Sequence, residues 1–98
     1  MGWVVGLDVG SKTIGVARLE LQSGLSRPLQ TLARHGVERD IDALLRLLEG
    51  REVSEFVVGL PLDEEGAEQR SSRLARQVAD ALASRTGTVV HLQDESHS

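Results

Sequence analysis

The 98-residue chain has 40% hydrophobic residues, ten glycines, no cysteine and a formal net charge of −4. That length fits one domain with a real core, and the lack of cysteine excludes disulfide staples and thiolate zinc sites. The negative charge counts against a strong non-specific grip on nucleic acid. Lys12 is the only lysine, and the remaining basic residues are arginines. Arginine is the better phosphate clamp, but codon bias produces the same composition, so charge leaves the partner open. No apolar run approaches the roughly 20 residues of a membrane span, and no charged segment precedes an apolar one at the N-terminus. The chain is expected to be soluble and cytoplasmic, with no membrane partner.

Three strand-like segments come first, at about 3–8, 13–21 and 29–34, with Gln22-Ser23-Gly24 as a turn between the second and third. A helix over 38–49 follows. Ile41, Leu44, Leu45 and Leu48 form its apolar stripe, acids lie near its start and Gly50 closes it. A fourth strand over 55–60 is apolar on both faces and stops at Pro61. After a loop around Asp63-Glu64-Glu65-Gly66, a second helix runs over 67–85, with Ala67, Leu74, Ala75, Val78 and Leu82 on one face. Gly87 ends it, and a fifth strand occupies 88–93. The order β-β-β-α-β-α-β implies an α/β fold with a mixed five-stranded sheet: early strands pair antiparallel, and strand-helix-strand units add in parallel. Strands one, four and five read as central strands covered on both sides. Two helices cover one face, and no further element of the sequence is available for the other.

The segment from Val4 to Ala17 carries the most chemistry. An apolar run leads into Asp8, and a second leaves it through Gly10 and Gly15. An ionised carboxylate ending a buried strand is costly unless a cation or donors meet it, and the flanking glycines let a ligand or backbone approach closely. Asp8 either holds a metal or metal-bound phosphate, or caps its own turn. Asp94 and Glu95 follow the fifth strand. If strands one and five are parallel, these carboxylates share the carboxyl edge of the sheet with Asp8 and make a hard oxygen site suited to Mg²⁺ or Mn²⁺; otherwise they belong to a solvated tail. Lys12, just past the glycine turn, meets a phosphate or is solvated. Arg70, Arg73 and Arg76 recur every three residues along one helix face, which either positions a nucleic-acid backbone or faces water. His35 is expected in a loop, His91 as a partly packed strand residue, and His97 beside the terminal acids. Ser71 and Ser72 lack the partners of a nucleophile.

The segment Gly6-Leu7-Asp8-Val9-Gly10-Ser11-Lys12-Thr13-Ile14-Gly15-Val16-Ala17, then Val57-Val58-Gly59-Leu60-Pro61-Leu62 with Gly66, then Asp94-Glu95, resembles the YqgF/RuvX family. These RNase H-like proteins are described as Holliday junction resolvases and as nucleases that process the 5′ end of pre-16S rRNA. The resemblance spans essentially the whole chain. It implies Asp8 and Glu95 as the metal-binding catalytic carboxylates, with Asp94 as Glu95's neighbour. It also places Lys12 and Arg73 near the nucleic-acid backbone, and Gly59, Leu60 and Pro61 in the loop beside the active site. The family's DE pair is followed by Arg, Leu and a Ser/Thr pair, where this chain has Ser96-His97-Ser98. The family also continues into a last helix that carries a third catalytic Asp and packs on the second sheet face. On that comparison residues 1–98 are a single RNase H-like domain, truncated or divergent at its C-terminus, whose open face a partner subunit or a symmetric homodimer would cover.

Three functions follow as expectations. The first is a divalent-metal-dependent nuclease on structured RNA or branched DNA. The second is a non-catalytic nucleic-acid- or protein-binding module that keeps the fold without turnover. The third is nucleotide binding, since Hsp70, actin and sugar kinases share the RNase H-like core. One domain of this size cannot build their two-domain cleft.

Overall fold

A computed structural model of the protein describes residues 2–20, 22–60 and 68–94. In chain order the elements are β1 (Trp3–Val9), β2 (Thr13–Glu20), β3 (Leu25–Ala33), α1 (Val37–Leu47), β4 (Val53–Leu60), α2 (Glu68–Thr86) and β5 (Val89–Asp94). They form one five-stranded sheet in the order β3-β2-β1-β4-β5. β1 pairs antiparallel with β2, and β2 with β3. β4 runs parallel to β1, and β5 parallel to β4. The expected α/β class and mixed sheet are those observed.

Alternation along the strands sorts side chains to two faces. Val5, Leu7 and Val9 of β1 join Ile14, Val16, Leu32, Phe56 and Val58 in a buried cluster. Onto it pack Ile41, Leu44 and Leu48 from α1's end of the chain and Ala75, Val78, Ala79 and Leu82 from α2. These are the apolar stripes read from the sequence, with Leu45 and Leu74 at their half-buried margins. Left-handed glycines end both helical segments, Gly50 at φ 84° and Gly87 at φ 68°. Among the described residues, no element lies on the other face.

Three expectations need correction. β3 begins at Leu25, four residues earlier than expected, because Pro28 sits in an edge strand, where a missing N–H costs no ladder bond. The ladder shifts register between Val16 and Ala17, passing Leu29 by. β5 is not central but the opposite edge, leaving Val89 and Leu92 exposed. His91 is likewise exposed rather than packed, and its Nε2 lies 3.2 Å from Glu55 Oε2. Pro61, the loop 63–66, Ala67, Glu95 and His97 lie outside the described residues.

At the far end of β1 from Asp8, the half-buried Trp3 ring packs at the margin of the core and meets two guanidinium groups. Arg18 is 4.5 Å and Arg51 4.7 Å from its centroid. Such stacking holds the start of β1 against β2 and against the segment entering β4.

Candidate active site

The site is built by register. Asp8 pairs with Gly15 on one side and Gly59 on the other. Gly15 pairs in turn with Thr31, and Gly59 with Gln93. Directly paired residues share a face, so one row across the sheet reads Thr31, Gly15, Asp8, Gly59, Gln93. Asp8 thus stands between two residues without side chains, on the face the helices do not cover. A Cβ added at Gly15 would lie 3.7 Å from the Cβ of Asp8, an ordinary contact. A larger side chain there would lean on the carboxylate.

Gly6, Ala17, Leu19, Val57 and Pro28 extend this row into a trough of about 410 Å³ on the same face. Asp8 is exposed and has no ion-pair partner among the described residues. An unpaired carboxylate over a glycine floor is a hard oxygen donor with space for an ion and its waters. Among the described residues no group of three metal-binding side chains occurs.

The other expected site residues share an edge with Asp8 to different degrees. β1, β4 and β5 are parallel, so their carboxyl ends lie together. Asp94 is the last residue of β5 and pairs with Leu60, one step past the level of Asp8. Glu95 lies outside the described residues. Lys12 is exposed in the turn between β1 and β2, at this same edge. Arg70 and Arg73 lie near the start of α2, which follows β4's carboxyl end, and Arg73 and Arg76 are exposed. Because α2 packs on the covered face, the structure does not bring Arg73 onto the face that Asp8 presents.

One feature of the site joins residues far apart in the sequence. Arg34, just past β3, donates from Nη1 to the carbonyl of Gly10 at 2.7 Å and from Nε to Asp40 Oδ2 at 2.6 Å. Its backbone N–H donates to the carbonyl of Lys12 at 2.9 Å. Asp40 is 2% exposed, the one buried charged residue among those described. Its Oδ1 accepts the backbone N–H of His35 at 2.8 Å, while the N-cap of α1, Gly36, offers no side-chain cap. Only its place in the first turns of α1 hints at such a role; the partner 24 residues from Gly10 carries no local signal.

A mixed five-stranded sheet in the order β3-β2-β1-β4-β5 is that of the RNase H-like fold. The T. thermophilus RuvC, solved in complex with a Holliday junction substrate, superposes with a TM-score of 0.67 at 16% identity. That match covers 97% of this chain and 66% of RuvC. A Listeria monocytogenes protein described as an N-acetylmannosamine kinase matches with a TM-score of 0.62 at 15% identity, over 96% of this chain and 35% of that one. Both similarities establish the fold.

The chain belongs to the RuvX family, described as Holliday junction resolvase, whose pattern it matches over residues 2–98. A Chloroflexus aurantiacus protein named "Putative pre-16S rRNA nuclease" is 37% identical over 92 residues, covering 94% of this chain and 60% of the relative. A Sphingopyxis alaskensis protein of the same name is 40% identical over 97 residues, 99% of this chain and 63% of its own length. The chain therefore spans less than two thirds of these relatives.

Proposed function

We propose that this chain is the metal-binding and cleaving part of a nuclease acting on structured nucleic acid, either the 5′ end of pre-16S rRNA or a four-way DNA junction. The observation that carries the reading is Asp8: an exposed carboxylate one residue before the end of the central strand β1, with Gly15 and Gly59 as its neighbours on both sides. A structural aspartate would be expected to cap a turn or pair with a base, and among the described residues Asp8 does neither.

Asp8 would hold Mg²⁺ or Mn²⁺ together with Glu95. In sequence Glu95 follows Asp94, the residue that ends β5 at the carboxyl edge this strand shares with β4 and β1. When bound, such an ion activates a water and neutralises charge on the phosphodiester. The chain's own share is to fix the carboxylate, to keep the floor beside it bare, and to offer Lys12 to a phosphate at the same edge. Arg70 and Arg73 would meet the nucleic-acid backbone as it passes around the sheet edge. Among the described residues no helix is long and apolar enough to cross a membrane, and the nuclease is proposed to work in the cytoplasm.

The test is cleavage of labelled precursor rRNA and of a four-way junction in Mn²⁺, beside Asp8→Asn. Cleavage lost in the variant supports the reading and the preferred substrate separates RNA from DNA. Equal behaviour of the folded wild type and variant overturns it in favour of a non-catalytic binding module.

A further inference from the structure

Arg34 and Asp40 form an ion pair in which the side chains are 11% and 1% exposed. Buried pairs add little net stability, because desolvating two charges offsets their attraction, and apolar residues of similar size serve as well. What this pair does supply is geometry. The planar guanidinium fixes its donors in a fork, and here the fork spans two separate segments: Nε meets Asp40 on α1 and Nη1 meets the Gly10 carbonyl, two residues past Asp8. The same residue's N–H, just past β3, donates to the Lys12 carbonyl, and the Gly10 N–H donates to the Thr13 carbonyl at 2.8 Å. Asp40 is itself fixed, since its second oxygen is taken by the N–H of His35. The turn between β1 and β2 is therefore tied to a buried charge on the covered side of the sheet, while its carboxylate faces the open side.

We propose that Arg34 is a positioning residue for the Asp8 site: with Asp40 as its anchor, it holds the turn 10–13 so that Asp8 and Lys12 keep one arrangement toward a bound divalent ion. This rests on the metal-site reading of Asp8. Arg34 touches neither ion nor substrate and acts through Gly10 and Lys12. A lysine at this place keeps a cation beside Asp40 but cannot hold the Gly10 carbonyl with the same rigid fork.

The experiment is a Mn²⁺ titration followed by paramagnetic bleaching of backbone amide signals in wild type, Arg34→Lys, Arg34→Met and, as a stability control at the other end of β1, Trp3→Leu. In wild type, bleaching is expected first at amides around Asp8. In Arg34→Lys the Mn²⁺ concentration for half-bleaching should rise about 10-fold, the scale of losing a support behind a metal ligand, and exchange of the Gly10 amide should quicken. Trp3→Leu should melt earlier yet keep the wild-type half-bleaching concentration. An unchanged value in Arg34→Lys, or an equal rise in Arg34→Lys and Trp3→Leu, overturns the proposal. If Arg34→Met does not fold, Arg34→Lys carries the test alone. A wild type with no bleaching near Asp8 is a different result, which removes the metal reading itself.

Discussion

The two faces of β1 use one strand for opposite ends. On the covered face Val5, Leu7 and Val9 are at most 3% exposed and meet the helices. On the open face Gly6 and Asp8 alternate with them, and neighbouring strands contribute Gly15, Ala17 and Gly59. The covered face is filled with volume, and the open face is bare on both sides of Asp8. Stability should therefore respond to changes on one face and metal-dependent chemistry to changes on the other.

Truncation on the covered face should do the most damage to folding. Phe56 is 1% exposed, and Phe56→Ala is expected to cost about 3–5 kcal/mol, measured by urea unfolding. On the open face, Asp8→Asn should leave the unfolding midpoint within error while cutting metal-dependent cleavage by about 100-fold or more, as loss of a principal electrostatic group does. A loss of stability comparable to that of Phe56→Ala would break the division between faces.

A finer probe is Gly15→Val. A β-branched residue suits a strand, so stability should hold or improve. The added methyls beside Asp8 should lower cleavage by about 10-fold, equivalent to roughly 1.4 kcal/mol of barrier. Equal cleavage would show that the bare floor is not needed.

The smallest effect belongs to a pair remote from both faces' centres. The side chain of Arg27, and less strongly that of Ser23, hydrogen-bonds Glu20 and holds its carboxyl below the usual 4.5. A lowered folded-state pKa gives stability present above the unfolded value and lost as pH falls through the folded one. The melting temperature of Glu20→Gln should thus sit slightly below wild type at pH 7 and converge with it below about pH 4.5. Salt should shrink the gap, since the pair lies at the surface, with Arg27 exposed and Glu20 partly so.

Much of this architecture is legible in the sequence because period carries it. The helical stripes at Ile41, Leu44 and Leu48 and at Ala75, Val78 and Leu82 name the covered face directly. Asp8 is legible because glycines bracket it. Pro28 conceals the start of β3, since a proline reads as a break until the strand is known to be an edge. The apolar run of β5 reads as central, although among the described residues one of its sides pairs with no strand. Two parts of the site depend on long-range register: the placing of Gly59 beside Asp8, and the reach of Arg34 to Gly10 and Asp40. No local pattern encodes either.

Trp3 is the single tryptophan of the chain. It lies five residues and roughly 17 Å along β1 from Asp8, at strand rise, with the Arg18 and Arg51 guanidinium groups over its ring. Guanidinium contact and partial burial set its emission in the folded state, and unfolding releases both at once. The molecule thus carries an intrinsic optical reporter at the end of β1 away from the candidate site. Its fluorescence should follow folding closely while staying silent to a divalent ion at Asp8, so stability and occupancy can be read separately in one cuvette.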